Sequence, residues 1–344
     1  MPGSVSVVDV ARHAGVSLGT VSNVLNRPSR VSVKTRERVL NAIEELGFVR
    51  NEAARQLRSG SSRTIGLVVL DIANPFFTDL ATGVERAAAS SGLSVVLCNS
   101  SDDAKREAHY LSLLQEQRSF GILITPVGAR NPAIARIRQS GTPVVLVDRG
   151  SGRAQCSVSV NDRIGGELAV GHLIAQGHRR IAFAGGPTSL RQVAERLEGA
   201  RNAIESAGLP PAALQVMDTK ALTVASGRAV GVQLSQVSVT KRPTAAFCAN
   251  DLLALGVLQD AMLRRLDVPG DLAIIGYDDI DFASSATVAL SSVRQPRSEL
   301  GRAATELLVD EATNAKEHRH RQVVFEPELV VRASTAGESD RSCT

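Results

Sequence analysis

The residues best suited to chemistry in this sequence are polar groups that mostly follow short apolar runs. They are Asn74-Pro75-Phe76-Phe77, Asp148-Arg149, Asn161-Asp162, Arg196 in an Arg-x-x-Gly step, Asn250-Asp251, Asp278-Asp279 and Gln295. Carboxylates, amides and a guanidinium beside aromatic rings suit a sugar, because every hydroxyl both donates and accepts a hydrogen bond. Taken singly, a strand-end Asp or Asn also caps the next helix, and that reading is the stronger one for Asp162, Asp251 and Asp279.

Charge points to a second kind of chemistry. Residues 1–63 hold ten Lys/Arg against five Asp/Glu, while the remaining 281 hold 29 against 30, so the net +4 of the chain sits in its first fifth. A basic head on a neutral body suits a polyanion, most often nucleic acid. There is no Trp, and Phe48 is the one aromatic residue in the head, so base stacking of the single-strand type is disfavoured there.

Other chemistries are argued against. Gly15-Val16-Ser17-Leu18-Gly19 matches the nucleophile-elbow pattern G-x-S-x-G, but a helix rather than a strand precedes it. Neither G-x-G-x-x-G nor a P-loop is present, which disfavours dinucleotides and nucleoside triphosphates. Cys98, Cys156, Cys248 and Cys343 share no CxxC spacing and have no His at ligand distance, so no metal site, cofactor or disulfide framework is expected. No apolar run is long enough to cross a bilayer and no export signal is visible, so the expected place is the cytoplasm, with no membrane partner.

Three short helices must carry the head. Ser6-Val7-Val8-Asp9 has the form of a capping box, and the helix it opens runs to about His13. Ala14-Gly15-Val16 turns the chain and Ser17 caps a second helix, Leu18 to Leu25. That spacing is helix-turn-helix, with Val10, Ala11, Val16, Val21 and Val24 inside and Leu18, Gly19 and Asn23 outside. A third helix follows Ser32 and ends at Gly47. Beyond the small-residue linker Ser59-Gly60-Ser61-Ser62, apolar strands alternate with amphipathic helices. Strands are expected at 64–71, 94–99, 121–126, 143–148, 157–161, 180–185, 214–218, 245–249, 272–276 and 323–331. Helices are expected near 76–91, 103–117, 163–176, 190–206, 251–265 and 297–313. Strands apolar on both faces imply two parallel sheets covered by helices, with ligands at the strands' carboxyl ends.

Asp9-Val10-Ala11, Ala14-Gly15-Val16-Ser17, Thr20-Val21-Ser22, Leu25-Asn26, Val31-Ser32 and Thr35-Arg36 resemble the DNA-binding head of lactose-repressor/galactose-repressor (LacI/GalR) family regulators. Asn74 to Phe77, Gly177-His178, Gly185-Gly186-Pro187, Ala249-Asn250-Asp251, Gly276 to Asp279, Val293 to Pro296 and Val331-Arg332 resemble the family's effector domain, which is similar to periplasmic sugar-binding proteins. The resemblance implies an all-α helix-turn-helix DNA-binding head plus an α/β effector domain of two parallel-sheet lobes. It also implies a hinge helix in which Asn51, Ala54, Arg55 and Leu57 meet DNA, Leu57 as a minor-groove wedge.

For the head, DNA contact is assigned to Ser17, Leu18, Gly19, Thr20, Ser22, Asn23 and Asn26, of which Asn23 can bond adenine N6 and N7. Gly19 stands where the family projects a base-reading side chain, and Arg50 stands where it usually has proline. For the effector, the resemblance implies Phe76, Phe77, Asp148, Arg149, Arg196, Asn250, Asp278 and Gln295, matching relatives that bind ribose and similar aldoses. Leu222 falls where several relatives have an aromatic ring. The implied domains are a helix-turn-helix head at 1–49, hinge and linker at 50–63, effector domain at 64–335 and a polar tail at 336–344. Within the effector domain, lobe 1 takes about 64–162 and 294–322 and lobe 2 about 163–293 and 323–335. The expected protein is a homodimeric repressor, binding palindromic double-stranded operator DNA under control of a small effector, a sugar. The alternative is a sugar-modifying enzyme with Asp148 and Asp278 as acid and base, but the expected pocket offers no His and no nucleophile–base pair.

Overall fold

The computed structural model describes residues 5–48, 62–128, 131–150 and 154–336. The chain divides into two compact units, Met1–Ser62 and Arg63–Thr344.

In the first unit, α1 (Val7–His13), α2 (Leu18–Asn26) and α3 (Val33–Glu45) follow one another with a 3-10 turn at Pro28–Arg30. Each start is set by a serine side chain. Ser6 and Asp9 make both bonds of the capping box, Ser17 accepts from the Thr20 amide, and Ser32 accepts from the Thr35 amide. Gly15 and Gly47 stand at φ +60, where a Cβ would be strained, and they end α1 and α3. Val10, Ala11, Ala14, Val21, Val24, Val39 and Ala42 form the core. The small size of these side chains lets the helices approach closely.

The second unit holds two six-stranded sheets. The first, in the order β11-β5-β4-β3-β1-β2, contains β1 (Thr64–Val69), β2 (Ser94–Asn99), β3 (Gly121–Ile124), β4 (Val144–Val147), β5 (Ser157–Val160) and β11 (Gln322–Phe325). The second, in the order β12-β10-β9-β8-β6-β7, contains β6 (Ile181–Gly185), β7 (Leu214–Asp218), β8 (Ala245–Cys248), β9 (Ala273–Asp278), β10 (Ser291–Arg294) and β12 (Glu328–Val330). All neighbours are parallel except the antiparallel pair β10 and β12. The helices are α4 (Pro75–Ser90), α5 (Ala104–Glu116), α6 (Pro132–Gln139), α7 (Asp162–Ala175), α8 (Arg191–Ser206), α9 (Val224–Gln236), α10 (Asp251–Leu263), α11 (Asp281–Ser285) and α12 (Arg297–Thr313). The central strands β3, β4 and β8 are buried along their whole length, as parallel strands covered on both faces must be.

The approximate lobe boundaries shift by a few residues at three places. The run expected as one strand over 323–331 is two: β11 joins the first sheet and β12 the second, so the chain crosses at Glu326-Pro327 rather than at 322. Arg294 ends a strand of the second sheet, which moves that crossing to Gln295-Pro296. Asp162 opens α7, which packs on β10 and β12 and so belongs to the second lobe. α6, α9, α11 and β10 were not among the expected elements.

Candidate functional site

The carboxyl ends of β4 and β9 carry Asp148 at φ 54 and Asp278 at φ 103, both left-handed conformations that non-glycine residues seldom adopt. Asp tolerates them best among charged residues, and such outliers gather where a side chain must be aimed. Here they aim two carboxylates into a cleft between the lobes. Its lining includes Asn74, Phe76 and Phe77 from the start of α4 and Arg196 and Gln192 from α8, with Leu222 and Asn250 beside them. The cavity there is about 60 Å³. Two hydrogen bonds cross it: Asn74 Nδ2 donates to Asp278 Oδ2 at 3.2 Å, and Gln192 Nε2 donates to Asp148 Oδ2 at 3.2 Å. These bonds and the small cavity describe closed lobes.

Arg196 is the electrostatic hub. Its Nε donates to Asp162 Oδ1 at 2.7 Å, its Nη1 donates to the Ala249 carbonyl at 2.6 Å and stands 3.9 Å from Asp278 Oδ1. The guanidinium carbon lies 3.6 Å from the centroid of the Tyr277 ring, a cation–π contact. Burial works against its charge, but Asp162, Tyr277, Asp278 and Asp148 outweigh burial and hold the guanidinium above its ordinary value.

One cation does not balance so many carboxylates. Burial raises Asp148 well above the ordinary range, with Asp162 pushing the same way and Arg196 opposing. Burial likewise raises Asp162 and Asp278 against the pull of Arg196. Asp148 Oδ1 is buried and has no hydrogen-bond partner. A buried acceptor left so costs about 1–3 kcal/mol, which a ligand hydroxyl would recover.

Of the eight residues expected to hold an effector, six line the cleft: Phe76, Phe77, Asp148, Arg196, Asn250 and Asp278. Phe76 and Phe77 meet edge to face at 5.0 Å and 82°. Asn250 caps α10, accepting from the Leu253 amide at 3.0 Å, and its Nδ2 donates to the Leu222 carbonyl. The other two are corrections. Arg149 faces a separate surface pocket with Asn131, Arg138 and Arg191 and donates to the Gly128 carbonyl. At φ 54 the backbone of Asp148 reverses direction, so its successor turns away. Gln295 acts one step back, its Nε2 donating to Asp278 Oδ1 at 2.7 Å.

The sequence reading left Asp71, Asp102, Leu190, Gln192 and Thr223 unassigned, although all five line the cleft. The three strand-end aspartates expected as caps are structural by other bonds. Asp162 pairs with Arg196, Asp251 accepts from Ser292 Oγ at 2.6 Å and the Ile280 amide at 2.8 Å, and Asp279 pairs with Arg294 and Arg332 at 2.7 and 2.6 Å.

In the first unit, Leu18, Gly19 and Asn23 are exposed on α2. Ser17 and Thr20 bond to each other at 2.9 Å, and Asn26 Nδ2 donates to the Ser22 carbonyl at 2.8 Å. Exposed Arg27, Arg30 and Lys34 follow α2. The expected hinge contacts Asn51, Ala54, Arg55 and Leu57 lie outside the described residues.

The expectation that no cysteine has a histidine at ligand distance fails for Cys156, whose Sγ lies 3.2 Å from His318 Nε2. The reason is strand register. β5 and β11 pair with Ser157 opposite Gln322, which brings the segment before β11 alongside Cys156.

A basic helix-turn-helix unit followed by a two-lobed α/β unit with a polar interlobe cleft defines a ligand-responsive DNA-binding regulator. Comparison with known proteins agrees. Residues 6–51 match the bacterial regulatory proteins of the lacI family, and residues 170–335 match the periplasmic binding protein-like domain. The ribose operon repressor of Escherichia coli (strain K12) is 37% identical over 89% of this chain and 92% of its own length. The HTH-type transcriptional repressor PurR of Aliivibrio fischeri (strain MJ11) is 33% identical over 96% and 98%. The crystal structure of the lac repressor dimer bound to operator and the anti-inducer ONPF superposes with a TM-score of 0.83 at 28% identity, covering 97% of this chain and all of that one. The chain belongs to the lacI family of bacterial transcription regulators. Relatives named as repressors set aside the reading as a sugar-modifying enzyme.

Proposed function

We propose that this chain is a cytoplasmic repressor that binds a two-fold symmetric operator as a homodimer and takes an aldose of the ribose type in its interlobe cleft. The observation that carries the effector reading is the buried, unpartnered Oδ1 of Asp148, set among Asp278, Arg196, Asn250 and the rings of Phe76 and Phe77. A sugar hydroxyl supplies the donor that Asp148 Oδ1 lacks, another can take the place of Asn74 on Asp278, and the aromatic rings pack against the apolar face of a sugar ring. The likeness to a protein named as a ribose operon repressor supports the choice of aldose. Entry requires the lobes to part, because a sugar does not fit about 60 Å³ and must replace the bonds Asn74–Asp278 and Gln192–Asp148.

For DNA, α2 enters the major groove with Leu18, Gly19 and Asn23 outermost and Ser17, Thr20, Ser22 and Asn26 flanking. Asn51, Ala54, Arg55 and Leu57 form the hinge contacts. A single head reads a half-site, so a symmetric pair reads the whole. Exposed apolar residues support a dimer: Val96 and Leu97 on edge strand β2 and Phe282 on α11 would be covered by a second copy.

Calorimetric titration of the full chain with D-ribose and a panel of other pentoses and hexoses tests the effector reading. Saturable binding is expected, with Asp148→Asn weakening it about 10- to 150-fold, the worth of one hydrogen bond to a charged group. Binding that ignores Asp148→Asn, or no heat with any aldose, would overturn the assignment.

A further inference from the structure

Away from the cleft, five side chains from three distant stretches meet in the first lobe: Cys156 just before β5, Asp310 and Glu311 in the last turn of α12, and His318 and His320 ahead of β11. Cys156 Sγ lies 3.2 Å from His318 Nε2 and 3.7 Å from His320 Nδ1, and Glu311 Oε2 stands 3.9 Å from each nitrogen. We propose that Cys156, Glu311, His318 and His320 bind a zinc ion in tetrahedral geometry.

The distances carry most of the argument. A zinc ion held at about 2.3 Å by sulfur and about 2.0–2.2 Å by nitrogen and oxygen sets its ligand atoms about 3.3–3.6 Å apart. Four of the separations are 3.2, 3.7, 3.9 and 3.9 Å, a few tenths of an ångström from that range, and all four donor atoms lie within 4.8 Å of one another. Thiolate, two imidazoles and one carboxylate form a zinc donor set, too soft for magnesium or calcium. Among the described residues this is the one grouping of such side chains able to hold an ion.

The surroundings are those of a metal site. His318 Nδ1 lies 2.8 Å from Asp310 Oδ2, the carboxylate–histidine pairing that turns the other ring nitrogen towards a metal. The Arg321 amide donates to Cys156 Sγ at 3.4 Å. Glu311 Oε2 is buried with no hydrogen-bond partner. Arg138 Nη2 stands 3.3 Å from His320 Nε2 and can donate to it only while that nitrogen is unprotonated; binding of an ion at Nδ1 puts the proton on Nε2, so this bond is given up and Arg138 keeps the Ala154 carbonyl as its acceptor at 2.5 Å. His320 is partly exposed and supplies the entry path.

Cys156, His318 and Asp310 also have the order of a nucleophile triad. Cys156 is fully buried, however, which leaves no room for a substrate, and that reading has no use for His320 or Glu311. Four protein ligands leave no open position, so the ion is structural, tying the end of α12 and the approach to β11 onto β5.

The test uses the untagged full chain, stripped with a chelator under reducing conditions and titrated with Co²⁺, then Zn²⁺. One Co²⁺ per chain is expected, with a thiolate charge-transfer band and the strong visible absorption of tetrahedral cobalt, both displaced by zinc. Zinc should raise the melting temperature. Cys156→Ser should abolish the charge-transfer band, and His320→Ala, at a partly exposed position, should weaken zinc roughly 100-fold or more. Asp310→Asn should weaken it about 10- to 100-fold, and Cys98→Ala should leave it unchanged. Wild-type protein that binds no cobalt through sulfur, or zinc affinity unaltered in His320→Ala, would overturn the site.

Discussion

On the second-lobe wall of the cleft, Arg196 is committed to Asp162, the Ala249 carbonyl and the ring of Tyr277; on the first-lobe wall, Asp148 has one oxygen bonded across the gap by Gln192 and the other without a partner. The two walls come from sheets of the same strand order, so topology does not account for the difference. It lies in where the charges were paired. One wall is finished within the chain, and in the proposed function the other is completed by the ligand. The same contrast recurs between neighbours in the chain. Burial raises Asp278, whereas for Asp279, one residue on, Arg332 and Arg294 outweigh burial and hold the carboxyl below its ordinary value.

The largest effect should come from breaking the finished wall. Arg196→Ala leaves Asp162, Asp278 and Asp148 buried without their cation, and about 3–5 kcal/mol of stability should be lost in urea unfolding of the full chain. A loss below about 1 kcal/mol would mean the hub is not what organises the cleft.

The pH dependence of stability separates the two kinds of carboxylate. Asp148 binds its proton more tightly folded than unfolded, so its contribution worsens as pH rises from about 4 towards its raised folded value. Asp148→Asn should therefore be more stable than wild type near pH 8, and the advantage should shrink towards pH 4. Asp279 is the reverse case: its contribution is full above about 4 and lost as pH falls through its lowered folded value. Asp279→Asn should be less stable at neutral pH, the deficit vanishing in acid; parallel pH profiles for the two variants would remove the distinction.

The smallest effect concerns closure. Asn74→Ala removes one of the two hydrogen bonds spanning the cleft, worth about 1 kcal/mol, and should shift the open–closed balance about fivefold without ligand. Small-angle scattering would read the change, and an unchanged profile would mean closure rests on other contacts.

The head was legible in the sequence because its signals are local. Ser6, Ser17 and Ser32 each cap the helix that follows, and Gly15 and Gly47 supply the turns. In the body the long apolar strands were equally plain, but α9, β10 and the break between β11 and β12 hid for physical reasons. α9 carries Gly227 and Gly231, which read as helix breakers; a Cβ at Gly227 would stand 2.1 Å from the Leu253 carbonyl oxygen, so the glycine exists to let α10 approach. β10 reads Ser-Ser-Val-Arg, whose buried hydroxyls are satisfied by Asp251, Thr335 and other distant partners that no local pattern reveals. Glu326-Pro327 interrupts what looked like one apolar run. The cleft followed the same division. Strand-end Asp148 and Asp278 could be found by their place after apolar runs, whereas Gln192 is a polar residue early in a helix, where nothing in sequence marks it. The neighbours of Cys156 were hidden for the plainest reason, since His318 is 162 residues away along the chain.

Gly19 gives the head an unspent degree of freedom. An added Cβ there would meet only Ser17 Oγ, at 3.7 Å, and the backbone is helical, so almost any side chain can be grafted without disturbing the fold. Replacing glycine within a helix favours the helix by up to about 1 kcal/mol. Drift at this position is therefore cheap to the scaffold, and with α2 in the major groove as proposed, one codon change here would alter the operator read while leaving the head folded.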